Sequence, residues 1–194
     1  MNAGRQGMVY LASASPRRRA LLRQLGVRFR VVSSGHRERI VRGDRPSRNA
    51  IRNALGKASA ARVTARIGLV LSADTFIYFR GRVLGKPRTL AEARRWLSAL
   101  AGRSHRVYTG VAIRDLSNGR CWTGYARTSV GCRRLSDDAI ERYVRQTRPL
   151  DKAGGYAIQD DRGRLIARIQ GSRSNVIGLP LELVRRMLRA RGVL

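Results

Sequence analysis

The chain has 194 residues, of which 43% are hydrophobic, an ordinary share for a globular protein. A chain of this size buries well over half of its unfolded surface, so it fits one domain or two tightly joined lobes. No apolar run approaches the roughly 20 residues of a membrane helix, which excludes a spanning segment and predicts a soluble protein with no membrane partner.

The formal net charge is +29. Such a balance usually indicates nucleic-acid binding. The arginines are spread along the whole chain, however, and the aromatic share of 6% leaves few platforms on which bases could stack. We therefore expect a basic, solvated surface with nonspecific polyanion contacts, and a dedicated nucleic-acid site is the alternative. Only Lys57, Lys86 and Lys152 are lysines, which suggests that these positions require a compact ammonium group.

Signals for export and for disulfide bonds are weak. The apolar stretch at residues 8–12 is shorter than the core of about 7–15 residues in a secretory signal, so we expect no export signal. Cys121 and Cys132 have no neighbouring histidine, which disfavours a zinc site, and we interpret them as two half-buried free thiols. Both observations predict a cytoplasmic protein.

The N-terminal third predicts a strand, a helix and a second strand. A buried strand at residues 8–14 leads to Ser15, the predicted N-cap of a helix with Pro16 at its first position. The helix ends at Gly26, and residues 27–33 form the second strand. The apolar face of the helix is predicted to comprise Ala20, Leu21, Leu22 and Leu25.

The rest of the chain alternates between the two element types. A helix at 47–66 carries Lys57, and a strand at 67–73 places Asp74 at its carboxyl end. A hairpin is predicted at 76–84, with its turn at Arg80-Gly81, and a helix at 90–100 follows Thr89. Two strands, at 107–114 and 122–133, flank a turn at 117–119. The last predicted elements are a helix at 137–146, a strand at 165–170 and a helix at 181–191 after Pro180. This order predicts an α/β fold with a mixed sheet, because antiparallel hairpins are inconsistent with a purely parallel arrangement.

Three segments are candidates for chemistry. Ser13-Ala14-Ser15-Pro16-Arg17-Arg18 is a strand-to-helix turn with unpaired backbone donors and two guanidinium groups, which indicates either an anion site or a capped helix with solvated arginines. Asp74 is either a turn-capping residue or a carboxylate that holds a cation or orients water. Lys86 is either a solvated side chain or a positive charge that neutralises phosphate oxygens.

The third segment, Asp151 to Gln159, combines an acid, a base, paired glycines and a terminal amide. Glycines permit close approach of a ligand to the backbone, and a glutamine side chain can both donate to and accept from a base edge. A purely structural turn is the alternative at this point.

Six motifs follow one another in a specific order that spans nearly the whole chain. They are Leu11 to Arg18, Ala73-Asp74-Thr75, Gly85-Lys86-Pro87, His105 to Gly110, Asp151 to Gln159, and Gly171 to Pro180. One of these motifs alone is weak, but the ordered set closely resembles the Maf family of nucleotide pyrophosphatases.

The resemblance implies a fold like that of inosine triphosphate pyrophosphatase, with a mixed twisted sheet, flanking helices and two lobes around a cleft. It implies one domain over residues 1–194, whose lobes do not fold independently, and a homodimer. The implied reaction splits a nucleoside triphosphate into the monophosphate and pyrophosphate with Mg²⁺ or Mn²⁺. Whether this serves pool cleaning or control of cell division stays open.

The resemblance also assigns roles to individual residues. Asp74 matches the proton acceptor, which deprotonates water or binds the metal-bound water, and Glu38 matches a second acid that helps to hold the metal. Lys57 and Lys86 match the catalytic lysines. The triphosphate would lie over Ser13, Ser15, Arg17 and Arg18.

Substrate choice in the family is associated with three positions, here Arg17, Thr75 and Gln159. This set resembles the dTTP/UTP pyrophosphatases, whereas the subgroup acting on 7-methyl-GTP carries Trp, Gln and Glu. The pyrimidine would lie near Thr75 and Gln159. The chain departs from the family pattern at three places: Arg37 precedes Glu38 where two acids are usual, Gly56 replaces a better helix former, and Asp160 replaces a glycine.

Overall fold

The computed structural model describes residues 7–194. These residues contain seven strands: β1 (Val9–Ala12), β2 (Phe29–Val32), β3 (Leu69–Phe79), β4 (Arg82–Leu84), β5 (Ser104–Asp115), β6 (Cys121–Cys132) and β7 (Ile166–Gln170). The described part of the chain also has six α-helices: α1 (Pro16–Arg23), α2 (Pro46–Ser59), α3 (Leu90–Leu100), α4 (Asp137–Gln146), α5 (Arg173–Ile177) and α6 (Leu181–Arg189). Two single-turn 3₁₀ helices lie at Pro149–Asp151 and Ala153–Gly155.

The strands form a seven-stranded sheet in the order β2-β1-β3-β5-β6-β7, with β4 paired to β3. Strand β1 is parallel to both β2 and β3, and Val9 is in register with Phe29 and Leu69. Strands β3 and β4 are antiparallel, as are β6 and β7. The predicted mixed α/β fold is therefore confirmed.

The chain divides into two compact units. The first contains the described part of residues 1–74 together with Thr109–Ala126 and Gly178–Leu194, and the second contains Thr75–Tyr108 and Arg127–Ile177. Residues 1–6 of the predicted single domain lie outside the described residues. That the two units cannot fold independently stays a prediction, as does the cleft.

In the first unit, small residues bring α2 close to the sheet. A buried cluster consists of Ala12, Ala54, Ala58, Val70 and Ala112. At Gly110 of β5 the approach is so close that an added Cβ would lie 2.2 Å from backbone atoms of Ala50 in α2. Helix α2 is thereby fixed against the strand without intervening side chains.

The second unit has its own core of larger side chains. Helices α3 and α4 contribute Leu97, Leu100, Ile140, Tyr143 and Val144, and the strand residues include Ile77, Val107 and Val130. Apolar burial of this extent is the main source of stability for such a unit. Across residues 7–194, no helix is both long enough and apolar enough to cross a bilayer.

Several element boundaries match the sequence predictions. Ser15 caps α1 by accepting a hydrogen bond from the Arg18 amide at 3.4 Å, and Thr89 caps α3. Helix α4 has the predicted bounds, and the predicted hairpin turns at Arg80 and Gly81, both of which have positive φ. These features depend on local chemistry, which a sequence displays directly.

Other predictions were wrong. The helix predicted at 47–66 ends at Ser59, because the next residues pair with the segment after β2: Ala61 bridges Ser34, and the Arg62 amide donates to Ser33. Ala20 of α1 is exposed instead of facing the core.

Two further corrections concern Asp74 and the cysteines. The strand predicted at 67–73 and the first strand of the hairpin are one strand, β3, so Asp74 lies within it and not at its carboxyl end. Both cysteines are free, as predicted, but neither is half-buried, since Cys121 is exposed and Cys132 is buried.

Candidate active site

The start of α1 holds a guanidinium group in a fixed position. Ser13 Oγ accepts hydrogen bonds from the Ser15 amide at 3.2 Å and from Arg18 Nη1 at 3.4 Å. Arg18 Nε donates to the carbonyl of Gly178 at 2.8 Å. Predicted site residues Ser13, Ser15 and Arg18 are thus brought together, and half-buried Arg17 occupies the first turn of the same helix. A fixed guanidinium at a helix N-terminus favours binding of a phosphate group.

A buried carboxylate lies in β3 of the same unit. Asp74 is 4% exposed, and its Oδ1 accepts from Lys57 Nζ at 2.6 Å. Its Oδ2 accepts from Asn53 Nδ2 at 2.9 Å. Asn53 and Lys57 are four residues apart on α2 and therefore share one helical face. Helix α2 thus supplies both hydrogen-bond donors to Asp74.

A second carboxylate reaches the same lysine. Glu38 Oε1 lies 2.6 Å from Lys57 Nζ, and the Glu38 side chain is 58% exposed. Glu38 belongs to a segment without regular secondary structure, which is tied to α2 by a 2.9 Å hydrogen bond from the Arg39 amide to Asn53 Oδ1. The lysine ammonium therefore bridges one buried and one accessible carboxylate.

Electrostatics keep Asp74 ionised. Burial on its own raises the pKa of Asp74, but the charge and hydrogen bond of Lys57 oppose this, helped by the charge of Arg18. The net pKa lies below the usual value for an aspartate. Burial lowers the pKa of the Arg18 guanidinium, against the charges of Asp74 and Glu38, although an arginine stays protonated at any working pH.

The donor set is compatible with the predicted divalent cation. Among residues 7–194, no cluster of three or more His, Cys, Asp or Glu side chains is arranged around a common point. Asp74 and Glu38 nevertheless converge on one cationic centre, the Lys57 ammonium, at 2.6 Å from each carboxylate. Mg²⁺ is often bound by only one or two carboxylates and completed by water and substrate phosphates, so these two residues fit it.

The remaining predicted site residues belong to the second unit. Lys86 and Gln159 are exposed, and Thr75 is half-buried in β3. The segment that carries Lys86 is joined to the loop before Gln159 by a 2.8 Å hydrogen bond from the Gly154 amide to the Gly85 carbonyl. The segment of Lys86 and the loop that ends at Gln159 are therefore joined through their backbones.

Lys152 shapes the loop that ends at Gln159. Its side chain is 5% exposed and Nζ donates to the Arg148 carbonyl at 2.5 Å and to Asp151 Oδ1 at 2.8 Å. Nζ also lies 3.4 Å from Asp160 Oδ2. The lysine thus joins residues before and after the loop, including Asp160, one of the departures from the family pattern.

A family model described as Maf-like protein matches residues 8–191. The chain belongs to the Maf family. A dTTP/UTP pyrophosphatase of Moorella thermoacetica is 46% identical over 183 residues, which cover 94% of each chain. Proteins of the same name from Citrifermentans bemidjiense and Methanosarcina barkeri are 41% and 38% identical, each over 186 residues and at least 94% of each chain. The resemblance inferred from the motifs is confirmed.

Sequence reasoning missed two residues that contact the candidate site. Asn53 was detectable, since it lies one helical turn before Lys57 and a polar residue there shares the face of the lysine. Gly178 lies in the sixth motif, but its contact with Arg18 was not detectable, because the two residues are 160 positions apart along the chain.

A buried polar network includes Tyr156, which lies in the loop that ends at Gln159. His105 Nε2 is 2.6 Å from the Tyr156 hydroxyl, and Cys132 Sγ is 3.8 Å from His105 Nδ1. Burial lowers the pKa of His105 to about 4 and raises the pKa of Cys132 to about 12. All three side chains are therefore uncharged near neutral pH.

Proposed function

We propose that this Maf protein hydrolyses dTTP and UTP to the monophosphate and pyrophosphate. The observation that carries the proposal is the buried carboxylate of Asp74, held at 2.6 Å by Lys57 in the same unit as the Arg18 guanidinium at the start of α1. Near-full-length similarity to proteins named dTTP/UTP pyrophosphatase supports this hydrolase activity over a nucleic-acid-binding role.

Phosphate binding is assigned to the start of α1. The Arg18 guanidinium, fixed by Ser13 and Gly178, presents a rigid charge to phosphate oxygens, and Ser15 and Arg17 complete the group. In phosphate chemistry the protein contributes mainly position and charge neutralisation. This site therefore fixes the polyphosphate for attack between the α and β phosphorus atoms.

Asp74 is assigned to the attacking water. Because its pKa is low, it is ionised and can accept a hydrogen bond from water and then the proton released on attack. The new bond joins the water oxygen to the α phosphorus, and the bond to the bridging oxygen breaks, so that pyrophosphate leaves. Lys57 and Lys86 neutralise charge on the phosphates and the leaving group.

A divalent cation, Mg²⁺ or Mn²⁺, completes the proposal. Asp74 and Glu38 would hold it, since these carboxylates already share one cationic partner. When bound, such a cation neutralises phosphate charge and makes an attacking water more acidic. The low pKa of Asp74 makes it a weak base, which is consistent with such assistance.

Selectivity is assigned to Arg17, Thr75 and Gln159. The Gln159 amide is exposed at the end of its loop and can both donate to and accept from a pyrimidine edge. Thr75 directly follows Asp74 in β3 and offers a hydroxyl group. We also infer a homodimer in the cytoplasm, with nonspecific polyanion contacts through the +29 charge.

A substrate panel tests the proposal. Purified protein with Mn²⁺ is incubated with dTTP, UTP, CTP, GTP and 7-methyl-GTP, and pyrophosphate release is measured. We expect the fastest release from dTTP and UTP, and loss of selectivity among bases in Gln159→Ala. Absence of release from all five nucleotides by folded protein contradicts the proposed function. Sedimentation velocity tests the homodimer separately.

A further inference from the structure

His36 and Gly56 are in direct contact in the first unit. A Cβ added to Gly56 would lie 2.2 Å from His36 Cε1, 2.5 Å from Nδ1 and 2.6 Å from Nε2. These separations are too short for any pair of non-bonded heavy atoms. The imidazole ring therefore occupies the space that a side chain at position 56 would take, and only glycine allows this packing.

The contact is made by packing, without a hydrogen bond from Nε2 of the ring. His36 Nε2 is buried and has no hydrogen-bond partner among residues 7–194. The backbone amide of His36 donates to Ser34 Oγ at 3.4 Å. The ring thus acts as a spacer between its own segment and α2.

Both partners adjoin the active-site ion pair. Gly56 directly precedes Lys57 on α2, and His36 lies two residues before Glu38, whose Oε1 is 2.6 Å from Lys57 Nζ. The segment that contains Glu38 has no strand or helix of its own. Its position therefore depends on side-chain contacts with α2.

Three such contacts lie in sequence along the helix. The first is the ring of His36 on Gly56. The second is the 2.9 Å hydrogen bond from the Arg39 amide to Asn53 Oδ1, and the third is a pair of 3.0 Å hydrogen bonds that join Asn49 to the backbone of Val41. Glu38 lies between the first and second contacts, so both determine its distance from Lys57.

We propose that His36 is a positioning residue, which through its packing on Gly56 sets Glu38 against Lys57 and so places the accessible carboxylate of the proposed cation site. The inference rests on the proposed function for its catalytic consequence. The proposal explains why position 56 is a glycine, although glycine destabilises the interior of a helix.

The first experiment is a double-mutant cycle on His36 and Gly56, measured by thermal unfolding. In the otherwise unchanged protein, Gly56→Ala should lower the Tm, because the methyl group displaces the ring. In the His36→Ala background the same change should raise the Tm by about 2–4 °C, since alanine favours a helix over glycine. Gly35→Ala is the control, because a Cβ at Gly35 meets no atom within 4 Å. An equal shift in both backgrounds refutes the contact.

The second experiment is a double-mutant cycle on Gly56 and Glu38, measured by steady-state kinetics. Gly56→Ala should lower kcat/KM for dTTP about ten- to a hundredfold, as expected for a small displacement in an active site. In the Glu38→Gln background the same change should have less than about a twofold effect, because the carboxylate that it displaces is already gone. Equal effects in both backgrounds overturn the positioning role.

Two provisions keep the outcomes separate. If Gly56→Ala does not fold, His36→Ala is used in both Glu38 backgrounds with the same expectations. Failure of the unchanged protein to release pyrophosphate removes the proposed function, whereas the thermal cycle still tests the contact. Turnover by the unchanged protein without coupling between Gly56 and Glu38 removes only this inference.

Discussion

Lys57 Nζ lies 2.6 Å from Oδ1 of Asp74, with side-chain exposures of 12% and 6%. Two opposite charges withdrawn from water to this extent stabilise one another, and removal of either leaves a costly charge behind. Here Glu38 also contacts the lysine, so Lys57 keeps a partner when Asp74 is changed. The pair can therefore be tested without loss of the fold.

Asp74→Asn should lower kcat for dTTP by at least about a hundredfold, because the amide cannot accept the proton of the attacking water. The thermal unfolding transition should stay cooperative. Asp44→Asn is a matched control, since Asp44 is an ion-paired acid of the same unit, bound to Arg48 and Arg52, and should leave turnover near that of the unchanged protein. Turnover by Asp74→Asn within tenfold of the unchanged protein contradicts the assigned role.

The buried His105 should make stability depend on pH. Its pKa is about 4 in the folded protein, against about 6.5 in an unfolded chain. The unfolded state therefore binds more protons between these values, and the free energy of unfolding falls as pH is lowered through this window, by about 3 kcal/mol. Below the folded pKa this contribution stops changing.

Urea unfolding of the unchanged protein and of His105→Gln between pH 7 and pH 4 measures this dependence. The difference between the two free energies of unfolding should shrink with falling pH, because glutamine does not titrate. A difference that is constant across the window shows that His105 does not carry the dependence.

Lys152→Met should raise the KM for dTTP more than it lowers kcat, because the loop that presents Gln159 loses the bonds of Lys152 to Arg148 and Asp151. Asp160→Asn should change the free energy of unfolding by less than about 1 kcal/mol, since Asp160 is 49% exposed and such ion pairs contribute little. Steady-state kinetics measure the effect of Lys152→Met, and urea unfolding measures that of Asp160→Asn. A kcat effect without a KM effect in Lys152→Met argues against the loop role.

Gly110→Ala should destabilise the protein by at least about 2 kcal/mol, because the added methyl group overlaps the α2 backbone, which cannot rotate away as a side chain can. Gly85→Ala is the comparison: its Cβ meets no atom within 4 Å and its change should be within about 0.5 kcal/mol. Chemical unfolding provides both values. Similar stabilities of the two variants are incompatible with the close approach.

Local chemistry made much of the fold predictable. Ser15 and Thr89 precede apolar-periodic segments, and their hydroxyl groups cap helices where the sequence predicts them. The end of α2 was not predictable in this way. Residues 60–66 have helical composition, yet backbone pairing of Ala61 and Arg62 with the segment after β2 prevails over that propensity.

The sequence predicted which residues form the candidate site better than it predicted how they are arranged. The motifs identified Ser13, Arg18 and Asp74, and the family resemblance added Lys57; the structure brings all four into one unit. The bridging of Asp74 and Glu38 by one ammonium depends on the path of an irregular segment held by tertiary contacts. No periodicity in the sequence encodes such a path, and the role of Gly56 was hidden for the same reason.

The location of Asp74 inside β3, a strand with neighbours on both sides in the sheet, has a consequence for motion. Backbone amides of such a buried strand exchange with solvent deuterium only in rare, near-global openings, whereas an irregular segment such as that around Glu38 opens locally and often. The accessible acid should therefore disengage from Lys57 more readily than the buried acid, which would give the proposed cation a route in and out.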